Sequence, residues 1–474
     1  MTTPGTAATT PANGTTTPAN GTTTPANGTT TPANGTTTPA NGTTTPGTAA
    51  GEVVDLCRDL IRFQTANPTH PERPAAEYVA GKLAEVGLEP TVLESEPGRT
   101  SVVARLAGSD SARAPLLIHG HLDVVPADAA DWTVDPFAGE IRDGCLWGRG
   151  AVDMKDMVAM TLAVVRDYRR SGRRPARDVV LALVADEEAG GGLGAHWLVE
   201  HHPELFADCT EAIGEVGGFS LTVSDDVRLY LIQTAEKGMA WMRLTTRGRA
   251  GHGSMVNDDN AVTTLAEAVA RLGRHRFPIQ VTKTVRRFLD ELSDALGVEL
   301  DPDDLEACVG KLGSMARIIG ATLRNTANPT MLDAGYQVNV IPQTATAQVD
   351  GRFLPGFDAA FDAELDEVLG PDVVREWIHH GIALETEFEG SLVDAMCAAL
   401  RAEDGGARPV PYTMSGGTDA KSFSTLGMRC FGFSPLRLPA DLDFAGMLHG
   451  VDERVPLESL AFGTRVLDRF LGSA

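Results

Sequence analysis

The chain is poor in positive charge and has no long apolar stretch. Lysine and arginine number 40 against 64 aspartates and glutamates, which gives a formal net charge of −24. An acidic excess of this size argues against nucleic acid or an anionic membrane surface as a partner. No apolar run approaches the roughly 20 residues that a membrane-spanning helix needs. We therefore expect neither nucleic acid nor a membrane among the partners.

Cysteine is scarce and scattered. The six cysteines form no CxxC pair, and their wide spacing lacks the pattern of a zinc finger. Reduced thiols in a cytosolic protein are the simplest interpretation. The N-terminus also lacks a basic region followed by an apolar core, so no standard signal peptide is visible. These absences predict a cytoplasmic location.

The first 50 residues contain nothing that could build a core. The unit Thr-Thr-Thr-Pro-Ala-Asn-Gly recurs with a period of seven, and the segment has no charged residue. A segment without large apolar side chains cannot bury enough area to offset its ordering entropy, so we predict a disordered tail. Each Asn-Gly-Thr matches the N-glycosylation pattern, which matters only in a secretory pathway.

Helix and strand patterns alternate along the rest of the chain. Near-continuous apolar runs at 116–118 and 178–185 are typical of strands covered on both faces, and 154–168 has helical spacing. This alternation predicts an α/β domain with a mainly parallel central sheet. Between 236 and 353 the pattern changes to half-exposed strands and amphipathic helices, which predicts an inserted α+β module. The predicted organisation is a tail (1–50), a discontinuous α/β domain (51–235 and 354–474) and an inserted domain (236–353).

A histidine and an aspartate follow one of the apolar runs. The run Leu116–Ile118 breaks at Gly120 and leads into His121 and Asp123. A buried strand that ends in this way presents side chains at the carboxyl edge of an α/β sheet, where ligands bind. The two side chains point the same way in an extended chain, which suits a metal-binding imidazole whose other nitrogen is held by a carboxylate. Alone, a His-X-Asp pair is more often a surface accident.

Further acidic and histidine positions follow predicted strands or glycine-rich breaks. They are Asp153, the neighbours Glu187 and Glu188, Glu215 and His449. Each has an ordinary explanation by itself, as a helix N-cap, a solvated loop, a surface acid or a structural histidine. Together with His121 they predict two adjoining metal sites that share one bridging carboxylate, because divalent cations would offset the clustered negative charge. Glu187 would then be a spare carboxylate, free to move protons.

Four segments make this interpretation specific. They are GHLDVVP from Gly120, GRGAVDMKD from Gly148, DEEAG from Asp186 and GEVGG from Gly214. In this order they resemble the motifs of the co-catalytic di-zinc peptidase and amidohydrolase family. That family includes aminoacylase, glutamate carboxypeptidase, carboxypeptidase S, acetylornithine deacetylase and succinyl-diaminopimelate desuccinylase. The resemblance covers about Gly51 to the C-terminus. It departs at Val216, where many relatives carry glycine, but Glu215 remains.

The resemblance implies a role for each of these residues and two Zn²⁺ ions as cofactors, with Co²⁺ or Mn²⁺ as possible substitutes. The peptide after Asp153 is expected to be cis. By the resemblance, His121 and Glu215 would hold one metal, Glu188 and His449 the other, Asp153 would bridge both, Asp123 would orient His121, and Glu187 would be the general base.

The inserted segment resembles the family's ferredoxin-like lid and dimerisation domain. Arg249 to Ser254 looks like its lid motif, in which His252 would reach the active site of the partner in a homodimer and stabilise the oxyanion. The segments around Asn339 and Arg352 resemble the family's contacts to a substrate carboxylate. Gly417 and Thr418 match the substrate loop of its catalytic domain.

The implied activity is hydrolysis of an amide bond next to a free carboxylate. The enzyme would be a metal-dependent N-acyl amino acid amidohydrolase or a dipeptidase or carboxypeptidase that acts on small N-acyl amino acids or peptides. A biosynthetic deacylase, such as a succinyl-diaminopimelate desuccinylase or an acetylornithine deacetylase, is the alternative, since no motif separates the two. A surface-attached binding protein with structural metals is a third possibility. A spare carboxylate at Glu187 argues against it, because a structural metal needs no general base.

Overall fold

The computed structural model describes residues 48–224, 226–297, 305 and 320–474. The predictions for the repeats therefore lie outside the described residues, as does Cys308. The first helix begins at Ala49, two residues before the predicted start of the folded domain. Five cysteines lie in the described part and all are free thiols: Cys57, Cys145, Cys209, Cys397 and Cys430.

Helices occur throughout the described chain, several with recognisable ends. Asn260 accepts a hydrogen bond from the Val262 amide and so caps one helix, while Gly172 ends another at φ 70°. The α-helices are α1 (Ala49–Arg62), α2 (Arg73–Ala84), α3 (Lys155–Ser171), α4 (Ala195–His201), α5 (Ala261–Arg274), α6 (Lys283–Leu296), α7 (Asp358–Leu369), α8 (Ser391–Glu403), α9 (Ala420–Ser424), α10 (Phe444–Met447) and α11 (Leu457–Leu471).

The strands alternate with these helices along the chain. They are β1 (Thr91–Glu96), β2 (Arg99–Leu106), β3 (Leu116–His121), β4 (Glu140–Arg142), β5 (Cys145–Trp147), β6 (Val179–Val184), β7 (Glu211–Gly214), β8 (Phe219–Ser224), β9 (Val227–Glu236), β10 (Gly238–Arg247), β11 (Gly251–His252), β12 (Thr326–Ala334), β13 (Val340–Ile341), β14 (Thr344–Phe353), β15 (Val374–His380), β16 (Leu384–Glu385), β17 (Ala407–Met414), β18 (Arg429–Gly432) and β19 (Arg454–Pro456).

The large sheet has the order β1-β2-β6-β3-β7-β18-β9-β16, with β8 and β17 also paired to β9. Its centre is parallel, since β3 pairs in parallel with β6 and β7, and β7 with β18. The outer strands β1 and β2 are antiparallel. The predicted α/β class with a mainly parallel core is confirmed, although antiparallel edges make the sheet mixed.

Both faces of the large sheet are covered, as the apolar runs predicted. Alternate residues of β6 face different cores: Val179, Leu181 and Leu183 join the cluster formed with α1, α3 and α11, whereas Val180, Ala182 and Val184 join the cluster formed with α4 and α9. A strand buried on both faces has no polar side to encode, which explains its uninterrupted apolar sequence.

A second, four-stranded antiparallel sheet has the order β12-β14-β10-β15 and its own core with α5 and α7. Its burial alternates along β10, as expected for a sheet with one solvated face. This sheet extends beyond the predicted boundary at residue 353, because α7 and β15 come later in the chain.

Helix α6 lies within the predicted inserted domain in sequence but packs against the large sheet. Its apolar side chains Val285, Phe288, Leu289 and Leu292 belong to the core of the large sheet, and the helix packs on β17 and β9. Their spacing places them on one helical face, but periodicity does not say which sheet that face will cover. Within the described residues, every helix is too short or too polar to cross a membrane.

Candidate metal centre

Three strand ends place most of the predicted ligands at one edge of the large sheet. Strand β3 ends at His121, β6 leads into Glu187 and Glu188, and β7 leads into Glu215. Because β3 runs parallel to both β6 and β7, their carboxyl ends meet at this edge. Asp153 does not follow a strand of this sheet, because it lies in the turn just before α3.

His121 is fully buried, and both of its ring nitrogens face oxygen atoms. Its Nδ1 lies 2.9 Å from the backbone carbonyl of Asp123, which can only accept, so Nδ1 carries the proton of a neutral imidazole. Its Nε2 faces Asp153 Oδ1 at 3.1 Å and Glu215 Oε2 at 3.3 Å. A nitrogen facing two carboxylates must either bear a second proton or share a cation with them.

His449 approaches the same aspartate from the other side. Its Nε2 lies 3.0 Å from Glu188 Oε2 and 3.4 Å from Asp153 Oδ2. Asp153 therefore turns one oxygen toward His121 and the other toward His449. The predicted pairing of His121 with Glu215 and of His449 with Glu188, across a shared Asp153, matches these distances.

The cluster concentrates negative charge that only counter-charge could stabilise. Desolvation, reinforced by the charge of Asp153, raises the pKa of Glu215 to about 7. Burial and the charge of Glu215 raise the pKa of Glu187 well above its usual range. For His121, burial alone would lower the pKa, yet Glu215 and Asp153 raise it well above the ordinary value. Glu188 Oε1 is buried and has no hydrogen-bond partner.

These residues fit a divalent cation. Two sets of donor atoms converge to within 4.8 Å of one another, His121 with Glu187 and Glu215, and His121 with Asp153 and Glu188. The two sets overlap because every member lies in one compact cluster. The nitrogen–oxygen contacts of His121 and His449 reach Asp153, Glu188 and Glu215, and no described contact of this kind includes Glu187. Imidazole nitrogen mixed with carboxylate oxygen is a donor set suited to Zn²⁺ and similar metals.

Asp123 contacts the centre differently from the prediction. Its carboxylate Oδ1 is 3.6 Å from His121 Nδ1, longer than a hydrogen bond, and its backbone carbonyl takes that contact instead. The carboxylate accepts hydrogen bonds from the amides of Glu187 at 3.1 Å and Glu188 at 3.0 Å. Asp123 therefore orients His121 through its backbone and holds the acidic turn through its side chain.

Glu453 is a supporting residue that the sequence motifs did not predict. Its carboxylate is fully buried and accepts hydrogen bonds from the amides of Gly150, Val152 and Asp153, at 3.0, 2.7 and 3.1 Å. It also pairs with Arg149 at 2.9 Å. The peptide bond after Asp153 is cis, as the resemblance implied. Only the presence of an acid four residues after His449 could have pointed to Glu453.

The predicted substrate loop, with Gly417 and Thr418, lies beside the turn that carries Glu187 and Glu188. Thr418 donates its amide to Glu236 Oε2 at 2.7 Å, which anchors the loop. A Cβ added at Gly191 would come within 2.9 Å of Asp419 Oδ1, so the two loops approach closely. The structure thus brings Gly417 and Thr418 next to the predicted metal ligands.

The predicted lid residues lie elsewhere in this chain. His252 is exposed on β11, which pairs with β13, and its Nδ1 lies 2.8 Å from the Ser254 hydroxyl. Asn339 is exposed beside it and accepts a hydrogen bond from the Gly253 amide. Among the described contacts, none joins either side chain to the metal cluster. Arg352 lies on β14 and forms a two-pronged pair with Asp350, at 2.7 and 3.1 Å.

Comparison with known proteins adds independent evidence. The family model described as peptidase family M20/M25/M40 matches residues 117–473. An N-fatty-acyl-amino acid synthase/hydrolase of Xenopus tropicalis is 26% identical over 435 residues, which cover 86% of this chain and 83% of the relative. Aminoacylase-1 of Sus scrofa is 27% identical over 420 residues, covering 85% and 90%.

Solved structures share the fold. An M20 family metallo-carboxypeptidase of Sulfolobus solfataricus superposes with a TM-score of 0.69 at 18% identity, over 89% of this chain and 99% of that one. Human carnosine dipeptidase 1 superposes with a TM-score of 0.65 at 16% identity, over 90% and 96%. At such low identity these likenesses establish architecture alone.

Proposed function

The chain belongs to the peptidase family M20/M25/M40 and is a metal-dependent amidohydrolase, and we propose that its substrates are small N-acyl amino acids or short peptides whose scissile amide adjoins a free carboxylate. The observation that carries the proposal is the placement of His121 and His449 on opposite oxygens of Asp153, with Glu187 on the adjoining turn. The activities named for the Xenopus and Sus relatives support this substrate class.

We assign two Zn²⁺ ions to the cluster. His121, Asp153 and Glu215 would hold one ion, and Asp153, Glu188 and His449 the other. When bound, the ions supply Lewis-acid polarisation of the amide carbonyl and a nucleophilic oxygen at neutral pH. The mixed nitrogen and oxygen donors favour Zn²⁺, with Co²⁺ or Mn²⁺ as possible substitutes.

The chain's own residues carry the proton transfer. The carboxylate of Glu187 takes a proton from the attacking water and passes it to the leaving amine. General acid–base catalysis of this kind accelerates a reaction roughly 10²- to 10⁴-fold. The Glu187 amide donates a hydrogen bond to the Asp123 carboxylate, which fixes the turn. The fixed turn holds the Glu187 carboxylate beside the metal cluster. Such positioning is what a general base requires.

The remaining predicted roles concern substrate binding and assembly. Gly417 and Thr418 would line the substrate loop, and Arg352 and Asn339 would hold the carboxylate. His252, exposed and without a described contact to the metal cluster, would stabilise the oxyanion of the partner subunit's site in a homodimer. The domain ranges 51–235 with 354–474 and 236–353 are retained as a proposal, apart from the departures at α6 and β15. The free thiols support a cytoplasmic location.

A substrate panel tests the proposal on the purified protein. N-acetyl-leucine and dipeptides should be hydrolysed, and N-acetyl-leucinamide, which lacks the free carboxylate, should be a much poorer substrate. Treatment with a chelator should abolish the activity and Zn²⁺ should restore it. Activity that resists the chelator would contradict the metal assignment. Equal rates on N-acetyl-leucine and N-acetyl-leucinamide would contradict the substrate class.

A further inference from the structure

Two lysines lie where the two sheets meet, and both bind neutral partners. Lys237 links β9 to β10, and Lys421 lies in α9, just after the substrate loop. Lys421 Nζ donates to the backbone carbonyl of Lys237 at 2.7 Å. Lys237 Nζ donates to the backbone carbonyl of Arg324 at 2.6 Å. Neither hydrogen bond balances the charge of an ammonium group.

Neither lysine forms a salt bridge among the described residues, although Lys237 is only 1% exposed. Burial, together with the positive charge of Arg352, lowers the pKa of Lys237 to about 7. Because a buried cation without a counter-ion is unfavourable, this arrangement suits an anion that arrives with a ligand.

The neighbouring charged groups are already engaged. Arg352, the residue predicted to hold a substrate carboxylate, turns its guanidinium onto Asp350 with two hydrogen bonds. Glu236, whose charge favours the ammonium of Lys421, accepts a hydrogen bond from the amide of Thr418. Lys421 therefore has Glu236 within electrostatic range but no carboxylate in a salt bridge among the described residues.

Lys421 also lies against the predicted substrate loop. A Cβ at Gly417 would collide with its Nζ, so the ammonium lies directly against the backbone of the substrate loop. Burial lowers its pKa, while the charges of Glu236 and Glu187 oppose that shift, which places Lys421 within electrostatic range of the predicted general base. Unlike Lys237, its side chain is only partly buried, so a ligand can reach it.

We propose that Lys421 is a specificity-determining residue that binds a carboxylate of the substrate, with Lys237 holding the ammonium from beneath through its backbone carbonyl. The proposal rests on the amidohydrolase function and extends it by naming a residue that selects anionic substrates. The carboxylate could belong to the released amino acid or to the acyl group, and substrates that carry one or the other separate these cases.

The test compares Lys421→Met, Lys421→Gln and Lys421→Arg with the wild-type enzyme. The substrates are N-acetyl-leucine, N-succinyl-leucinamide and the uncharged N-acetyl-leucinamide. We expect the neutral variants to raise KM about 10- to 100-fold for a carboxylate-bearing substrate, because one charge-assisted contact is lost. Values of kcat should change less, N-acetyl-leucinamide should be unaffected, and Lys421→Arg should recover most of the affinity.

A matched control is Lys283→Met, an exposed lysine on α6 that pairs with Glu387 and should change none of these constants. Whichever carboxylate-bearing substrate is selectively weakened by the Lys421 variants identifies the source of the carboxylate. An equal loss on all three substrates would show a structural role and overturn the proposal, as would an unchanged KM. Wild-type hydrolysis of N-acetyl-leucine decides the proposed function separately, whatever the variants do. If Lys421→Met does not fold, Lys421→Gln retains a donor for the carbonyl of Lys237 and carries the test.

Discussion

Replacing Glu453 by alanine should weaken the metal centre without removing any residue proposed to bind a metal. Its carboxylate accepts three backbone amides around Asp153 and pairs with the buried guanidinium of Arg149. These contacts determine where the turn presents Asp153. The turn does not belong to the parallel strands, so no strand hydrogen bond in the described residues could replace the contacts from Glu453.

The magnitude follows from what the substitution leaves behind. Removing one partner of a buried ion pair costs about 3 to 5 kcal/mol, because the remaining charge is uncompensated. Each orphaned amide would cost about 1 to 3 kcal/mol if water could not reach it, but such losses are not additive. We therefore expect Glu453→Ala to lower the free energy of unfolding by at least about 3 kcal/mol. Loss of a residue that orients a ligand should also weaken metal binding about 10- to 100-fold.

Denaturant unfolding and a Zn²⁺ competition titration measure the two effects. Glu453→Gln should fall between wild type and Glu453→Ala, since one acceptor oxygen remains but the charge is gone. Asp452→Asn is the matched control. Among the described contacts, the Asp452 carboxylate binds Thr133 and its backbone carbonyl binds Arg454, and asparagine tolerates its φ of 57°. Wild-type metal affinity in Glu453→Ala would refute the idea that Glu453 positions Asp153.

Three further predictions follow from the same structure. Glu187→Gln should retain its metal and lose several orders of magnitude in kcat, whereas Glu188→Gln should lower metal occupancy; elemental analysis beside steady-state kinetics checks both. If the partner subunit's His252 completes each site, refolding an equimolar mixture of inactive His252→Ala and Glu187→Gln chains should restore about a quarter of wild-type activity, and a mixture that stays inactive despite forming mixed dimers would contradict this. Arg228 holds the pKa of buried Asp404 well below its usual range, so Asp404 stabilises the fold above its unfolded-state pKa of about 3.9 and loses that effect as the pH falls. Asp404→Asn should therefore destabilise the protein near neutral pH and much less in acid, and thermal melts across pH would contradict this if the difference were constant.

Local patterns predicted the elements that carry the site. The apolar runs of β3 and β6, the helix after Asp153 and the alternation of β10 all occur within a few residues of their predicted ranges. Local patterns also predicted the positions of the proposed ligands, because each follows a strand end or a glycine-rich turn. Such features depend on neighbours in sequence, and periodicity of two or 3.6 residues records which side of an element is covered.

Contacts between distant segments could not be predicted in this way. The hydrogen bonds of Glu453 span about 300 residues of sequence, and Lys421 reaches the backbone carbonyl of Lys237 across 184 residues. Helix α6 covers the large sheet although it lies within the predicted insertion. An acidic or basic residue looks the same in sequence whether it is solvated or buried against a partner. Sequence patterns were enough to predict the elements, the family motifs and the chemistry of the predicted ligands. Which carboxylates hold the turns in place is seen only in the folded chain, because burial and pairing depend on segments that are distant in sequence. The proposed substrate contact at Lys421 depends on the same kind of long-range packing.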